Sequence, residues 1–183
     1  MIYGDTIALR ALEHTDLETL RDWRNRSHYR KFFREYRELN LENQKRWFDT
    51  AVVHDRQTLM FGVVRKDTDE LIGVCGLAYI NWVHRHADLS LYIGKDDIYI
   101  DSHEGGFAWQ TMDVLLKYAF DEINLHKVWC EIYAFDRKKH ELFERYGLHQ
   151  DGVLPDNYFY DGEYQDSHLF SILDREWRGR LTS

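Results

Sequence analysis

The stretch Ser102-His103-Glu104-Gly105-Gly106-Phe107-Ala108-Trp109 decides how this chain folds, because it joins a predicted strand to a long predicted helix. Residues 86–94 alternate in polarity, as a strand with one buried face does. Residues 105–122 repeat their apolar side chains at helical spacing. A strand, a turn and a helix in this order open a parallel crossover, a unit that places ligands at strand ends and helix starts.

The turn in that stretch contains Gly105 and Gly106, which leave the first N–H groups of the helix uncovered. Bare N–H groups and the positive end of the helix dipole together attract a pyrophosphate. A simple turn is the alternative, because two glycines before a helix are a short signal. The chain has neither Gly-x-Gly-x-x-Gly nor a lysine-bearing P-loop, so the usual dinucleotide and nucleoside-triphosphate sites have no support.

The other elements follow from periodicity, caps and turns. Thr15 and Glu18 match a capping box that opens a helix through Trp23, and Asn40 is placed to cap another. We predict strands at 6–12, 59–66, 71–80, 86–94, 128–133, 157–160 and 164–173, and further helices near 28–33, 41–53, 105–122 and 136–146. The fold class is α/β (α+β), a mixed, mostly antiparallel sheet of about seven strands with helices on both faces.

The composition indicates one globular domain over residues 1–183, with 44% hydrophobic and 31% charged residues. The net charge of -8 argues against nucleic acid as a partner. It could favour a cationic substrate such as a polyamine, and a surface tuned for solubility is the alternative. Cys75 and Cys130 lie in apolar runs with no metal-site spacing, and no leader or membrane span is recognisable. We therefore expect a cytoplasmic protein with no metal and no membrane partner.

Several segments, in their order and spacing, resemble the GCN5-related N-acetyltransferase (GNAT) family. The resemblance extends over nearly the whole chain and is nearest to the group of the RimJ and RimL ribosomal-protein acetyltransferases and the spermidine acetyltransferases. The segments are Ile7-Ala8-Leu9-Arg10-Ala11-Leu12, Trp23-Arg24-Asn25, Leu71-Ile72-Gly73, Asn124-Leu125-His126-Lys127-Val128-Trp129, Leu142-Phe143-Glu144-Arg145-Tyr146-Gly147-Leu148 and Asp161-Gly162-Glu163-Tyr164. It implies the GNAT fold and acetyl-CoA as co-substrate.

In that family the cofactor loop reads Gln/Arg-x-x-Gly-x-Gly/Ala, and His103, Gly106 and Ala108 take the matching positions. The two small residues are kept, while histidine replaces the long polar side chain. The resemblance implies that the whole turn, with Glu104, Gly105 and Phe107, surrounds the pyrophosphate. The preceding loop, 95–102, is several residues longer than is usual in the family.

The resemblance also implies contacts with the rest of the cofactor. Backbone groups of Tyr92 and Ile93, where the fourth and fifth strands splay, would pair with pantetheine and hold the thioester carbonyl. Asp136 stands where relatives often carry a cofactor-binding asparagine. Phe143 stands where many carry an acidic tyrosine, and its side chain cannot donate a proton.

For catalysis, Asp88 matches a position where relatives of the RimL type often carry glutamate, so it is the candidate base. An exposed aspartate paired with Arg85 or Lys95 is the alternative. Tyr146, about one turn beyond Phe143, is the candidate acid, with simple packing as the alternative. Acceptor-site candidates are Arg24, Asn25 and Tyr160.

Two functional hypotheses result. The first is direct acetyl transfer to a primary amine, which belongs to a small metabolite (polyamine or amino sugar) or a protein N-terminus, by a monomer or homodimer. The second is a catalytically weak relative that binds CoA or another ligand as a sensor or interaction module. The second is motivated by the departures at His103, Asp136 and Phe143.

Overall fold

The computed structural model describes residues 1–180, and within them eight strands form one sheet in the order β1-β2-β3-β4-β5-β6-β8-β7. The strands are β1 (Ile2–Tyr3), β2 (Ile7–Ala11), β3 (Leu59–Arg65), β4 (Leu71–Asn81), β5 (His86–Ile93), β6 (Lys127–Tyr133), β7 (His149–Tyr160) and β8 (Glu163–Leu173). All neighbours are antiparallel except β5 and β6. The predicted fold class is confirmed, with one strand more than expected.

The helices of the described residues are α1 (Leu17–Asn25), α2 (Ser27–Arg30), α3 (Leu41–Trp47), α4 (Phe107–Lys117), α5 (Arg137–Tyr146) and α6 (Asp174–Arg180). The helices predicted at 41–53 and 105–122 keep most of their extent. Each widens into a π-helical turn at its end, over Phe48–Val53 after α3 and Tyr118–Glu122 after α4. The glycine turn lies outside α4, because Gly106 is its N-terminal cap.

Of the two predicted N-terminal caps, Asn40 is confirmed and Thr15 is wrong. Asn40 Oδ1 accepts a hydrogen bond from Asn43 N at 2.8 Å, and Gly147 ends α5 at φ 93°. The capping box at Thr15 is wrong: Asp16 Oδ2 accepts from Glu13 N at 2.8 Å, and the same carboxylate pairs with Arg10. The helix expected near 28–33 is shorter and ends at Arg30.

The largest error in the predicted strands is β7, of which only 157–160 was expected. Most of its residues are exposed and none is fully buried, so it lacks the alternation of a half-buried strand. The sequence prediction also missed β1, which is too short to show a pattern, and α6, whose residues are mostly charged.

The feature that positions a site is the divergence of β5 from β6. Their parallel pairing covers only His86–Asp88 against Lys127–Trp129. Beyond it the strands separate and leave a V-shaped gap, as the resemblance implied. β5 forms one wall and leads to α4, while β6 forms the other and leads to α5.

Candidate active site

A cavity of about 400 Å³ opens where β5 and β6 separate, and Asp88 lies on its wall. Asp88 is the last residue of β5 that pairs with β6, and it is only 7% exposed. Glu131 of β6 lines the same cavity. The splay of two strands therefore brings two carboxylates to one concave surface.

Arg34, from the segment between α2 and α3, lies between these carboxylates. Its Nη1 is 3.1 Å from Asp88 Oδ2, and its Nη2 is 3.5 Å from Glu131 Oε2. Asn157 Nδ2 donates to the other oxygen of Glu131 at 2.7 Å. One guanidinium thus lies between two carboxylates, so the protein's own cation occupies this point of the cavity.

The alternative partners expected for Asp88 are wrong. Arg85 donates to Asn124 Oδ1 at 3.2 Å, and Lys95 donates to Glu70 Oε1 at 2.5 Å. Burial raises the pKa of Asp88 to about 6, Arg34 and Lys139 oppose that rise, and Glu131 adds to it. A carboxylate that titrates near neutral pH can accept a proton from a substrate.

Residues 95–102, part of the connection from β5 to α4, span the V-shaped gap; we call this segment the strap. Tyr99 pairs with the backbone of Ile93 on β5 through two hydrogen bonds of 2.8 and 2.9 Å. The hydroxyl of Tyr99 donates to Asp136 Oδ2, at the start of α5, at 2.5 Å. Phe32 stacks on the Tyr99 ring with centroids 4.4 Å apart. The strap therefore connects the two walls of the gap.

The strap also reaches the start of α4. Asp101 Oδ2 accepts from Phe107 N at 2.7 Å, and Asp101 Oδ1 accepts from Ala108 N at 2.6 Å. A Cβ on Gly106 would lie 2.7 Å from Asp101 Cγ, so glycine is required for this close approach. The expectation that these N–H groups are bare is wrong in this structure. Gly105, at φ 83°, supplies the turn, and His103 and Glu104 are exposed on it.

Asp136 and Phe143 both have contacts within the protein, Asp136 also lines the cavity, and the cofactor contacts expected of the two residues stay predictions. Asp136 is buried, caps α5 by accepting from Lys139 N at 3.2 Å, and holds the Tyr99 hydroxyl. Phe143 is 1% exposed and packs against Phe170 of β8.

The structure does not bring Tyr146 to Asp88. The Tyr146 hydroxyl donates to Asp113 Oδ1 at 2.6 Å, and Arg180 Cζ lies 3.6 Å from the centre of its ring. Tyr146 thus links α5 to α4 and α6 through these contacts. It does not line the cavity. Its position fits the packing alternative and does not support a role as the acid.

Of the three acceptor-site candidates, Arg24 lines the cavity, whereas Asn25 and Tyr160 do not. Arg24 lines the cavity, has an unpartnered buried Nε and lies over the Phe33 ring at 4.7 Å. Asn25 instead holds the backbone of Leu39 with bonds of 2.7 and 2.8 Å. Tyr160 stacks on Phe135 at 4.8 Å and does not line the cavity.

Sequence reasoning missed four residues of the site, which are Arg34, Glu131, Tyr99 and Asp101. The register of β5 and β6 could have revealed Glu131, since Asp88 pairs with Trp129 and Glu131 is two residues further along the same face. Arg34, Tyr99 and Asp101 lie in segments without periodicity and match no motif.

Residues 6–149 match the acetyltransferase (GNAT) domain family. The chain belongs to the GNAT family. It is 29% identical over 175 residues to the spermidine N(1)-acetyltransferase of Vibrio cholerae serotype O1, a match that covers 95% of this chain and 96% of that protein.

Two solved structures are similar to this chain in fold as well as in sequence. The spermidine N-acetyltransferase from Vibrio cholerae in complex with CoA and spermine matches with a TM-score of 0.83 and 27% identity, over 94% of this chain and 98% of that one. A dodecameric structure of the enzyme from the same organism matches with a TM-score of 0.77 and 29% identity, over 96% and 98%.

As a member of the GNAT family, the chain is an N-acetyltransferase, and the alternative of a sensor or interaction module is not favoured. Within residues 1–180, no three His, Cys, Asp or Glu side chains are grouped closely enough to hold a metal ion. No helix of that part of the chain has the length and apolar character needed to cross a membrane. The nearer resemblance to RimJ and RimL stays a prediction.

Proposed function

We propose that this chain acetylates a primary amine of a polyamine, with acetyl-CoA as the acetyl donor and Asp88 as the base. The observation that carries the proposal is the cavity between β5 and β6, where Asp88 and Glu131 face one cation, Arg34. The relative from Vibrio cholerae is named for spermidine, and its structure was solved with CoA and spermine. Both names support a polyamine as the acceptor.

The charges of the cavity suit a substrate with several ammonium groups. The Arg34 guanidinium lies where an acceptor ammonium would meet Asp88 and Glu131, and its own side chain is about half exposed. An arriving ammonium can therefore displace it outward and take over the two carboxylates. Asp55 lines the same cavity and adds a further carboxylate for a distal ammonium.

The proton chemistry assigns a task to Asp88. An aliphatic amine is protonated at neutral pH, and only the free amine has a lone pair for attack on a carbonyl carbon. Asp88 is ionised above about pH 6 and is placed to take this proton. Acetyl-CoA, when bound, supplies the acetyl group as a thioester. Burial of Asp88 then serves catalysis, since it brings the pKa of the base close to the working pH.

The direct test is an acetylation assay with spermidine, spermine, an amino sugar and a peptide with a free N-terminus. We expect acetylated polyamine, detected by mass, together with free CoA thiol. Transfer to the amino sugar or the peptide alone would overturn the polyamine proposal, and no transfer to any amine would overturn the proposed reaction.

The variant Asp88→Asn tests the base. We expect kcat/KM to fall by about 10²–10⁴-fold and the acidic limb of the pH profile, with its midpoint near pH 6, to disappear. Asp161→Asn, at the tip of the β7–β8 hairpin, is the matched control and should behave as wild type. Unchanged kinetics in Asp88→Asn would remove Asp88 from the mechanism.

A further inference from the structure

We infer that the strap, residues 95–102, is an autoinhibitory segment that occupies the co-substrate path and must open before acetyl-CoA binds. This inference rests on the proposed function, because it concerns access to the same site. Three contacts from one loop support it, at β5, at the start of α4 and across the gap. In this arrangement the surrounding residues do not fit a bound CoA.

The first contact occupies the hydrogen-bonding groups at the free edge of β5. Gly94 N donates to Ile72 O on β4 at 2.9 Å, so the N–H and C=O of the preceding residue, Ile93, point to the opposite side, into the gap. A strand edge exposed in this way would bond the amides of a pantetheine arm. In this structure Tyr99 takes both groups, with Tyr99 O on Ile93 N and Tyr99 N on Ile93 O. The strap thus pairs with β5 as an extended ligand would.

The second contact occupies two N–H donors of the anion site at the start of α4. The carboxylate of Asp101 receives the N–H groups of Phe107 and Ala108, which a pyrophosphate at this helix start would use. Asp101 and a pyrophosphate are both negative, so they cannot share these donors. CoA must displace the carboxylate before its phosphates can approach the helix.

The third contact closes the gap between the two walls. The Tyr99 hydroxyl reaches Asp136 at the start of α5, and Tyr99 is only 2% exposed. A pantetheine arm that enters between β5 and β6 would meet this buried side chain. The strap cannot stay in place while the arm passes.

The backbone of the strap indicates that the closed state is under strain. Asp96, Asp97 and Tyr99 all adopt positive φ, at 52°, 55° and 58°, a region that L-residues rarely occupy. Arg26 holds the segment from α1's end, through Gly94 O at 2.8 Å and Asp97 Oδ1 at 2.5 Å. Specific contacts therefore offset an unfavourable backbone, so the loss of one contact should shift the strap towards an open state.

The experiment measures CoA affinity by titration calorimetry for wild type, Asp101→Asn, Tyr99→Phe and Asp96→Asn. Asp101→Asn removes the competing charge, and Tyr99→Phe removes the bond to Asp136 while it keeps the ring. We expect both to bind CoA about tenfold more tightly, because the apparent dissociation constant falls as the open fraction rises. Asp96→Asn removes the same charge from an exposed position of the same loop and should match wild type.

The outcomes separate this inference from the proposed function. Tighter binding by Asp101→Asn and Tyr99→Phe, or binding by these two variants only, supports the strap as an autoinhibitory segment. Wild-type binding with no gain in either variant, or an equal gain in Asp96→Asn, overturns it and leaves the proposed function intact. Failure of all four folded proteins to bind CoA, with folding checked by circular dichroism, overturns the proposed function itself.

Discussion

At the scale of single residues, the cluster of Asp88, Arg34 and Glu131 shows how the fold adjusts a buried carboxylate. Burial favours the neutral form of Asp88, and the nearby guanidinium favours the ionised form. The two influences together leave the pKa of Asp88 near 6. Arg34 therefore acts on the protonation of Asp88 through its charge.

Removal of this cation gives a pH prediction. In Arg34→Gln the pKa of Asp88 should rise, because burial and Glu131 then act with less opposition. Asp88 must be ionised to act as a base, so less of the variant is active at a given pH. The acidic limb of kcat/KM should move above its wild-type midpoint near pH 6, as measured by initial rates from about pH 5 to 9.

Arg30→Gln is the matched control for this shift. Arg30 pairs with Glu38 on the protein surface and does not line the cavity, so its removal should leave the limb in place. An acidic limb that stays unmoved in Arg34→Gln would show that the limb does not report Asp88.

Sequence reasoning identified Asp88 because strand alternation and the family resemblance both point to its position. It could not identify Arg34, which is separated from Asp88 by 54 positions and lies in a segment without regular structure. Contacts of this kind are set by how elements pack, and local periodicity carries no information about them.

At the scale of elements, Tyr146 shows how α5 is held to its neighbours. Its ring packs against Trp109 of α4, with centroids 5.0 Å apart, and its hydroxyl donates to Asp113 of the same helix. Asp113 is exposed on α4, so this hydrogen bond lies at the edge of the helix contact, where water also reaches the carboxylate. The contact joins the helices that follow the two walls of the gap.

Tyr146→Phe should therefore affect stability and spare catalysis. Loss of the hydroxyl removes one hydrogen bond to Asp113, which water can partly replace, so we expect the free energy of unfolding to fall by about 0.5–1.5 kcal/mol. Urea denaturation measures this change, and kcat should equal that of wild type. Tyr164→Phe, on an exposed tyrosine of β8, is the control for both measurements. A large loss of kcat with stability unchanged would restore Tyr146 as the acid.

Elements with strong local signals were predicted well. α4 has regular apolar spacing, α3 has an asparagine cap, and α5 ends at a glycine with positive φ. β7 and the strap were not predictable in the same way. β7 is mostly exposed, and the strap is held by contacts with Ile93 and Asp136 that only the folded chain brings near.

At the scale of the whole molecule, the net charge of -8 acts in the same direction as the two carboxylates of the cavity. An acidic protein attracts a cation over distances comparable with the Debye length, which is about 10 Å at 0.1 M salt. The attraction should be stronger for a polyamine, which has several positive charges, than for a monoamine.

Salt should therefore discriminate between acceptors. We expect kcat/KM for spermidine to fall several-fold between about 0.05 and 0.5 M NaCl, and kcat/KM for propylamine to fall less, because screening weakens the attraction of a multiply charged substrate most. Initial rates over a salt series at constant pH provide the measurement. Equal salt dependence of the two amines would show that the charge of the molecule has no part in acceptor capture.

The position of β7 at the rim of the sheet limits how copies of this chain can associate. An outermost strand offers unpaired backbone groups to any passing strand. Pro155 interrupts this row because it has no N–H to donate, and the register shifts between Leu154 and Tyr158. A second chain would find no continuous ladder across Pro155, so the addition of a strand along the full length of β7 is blocked.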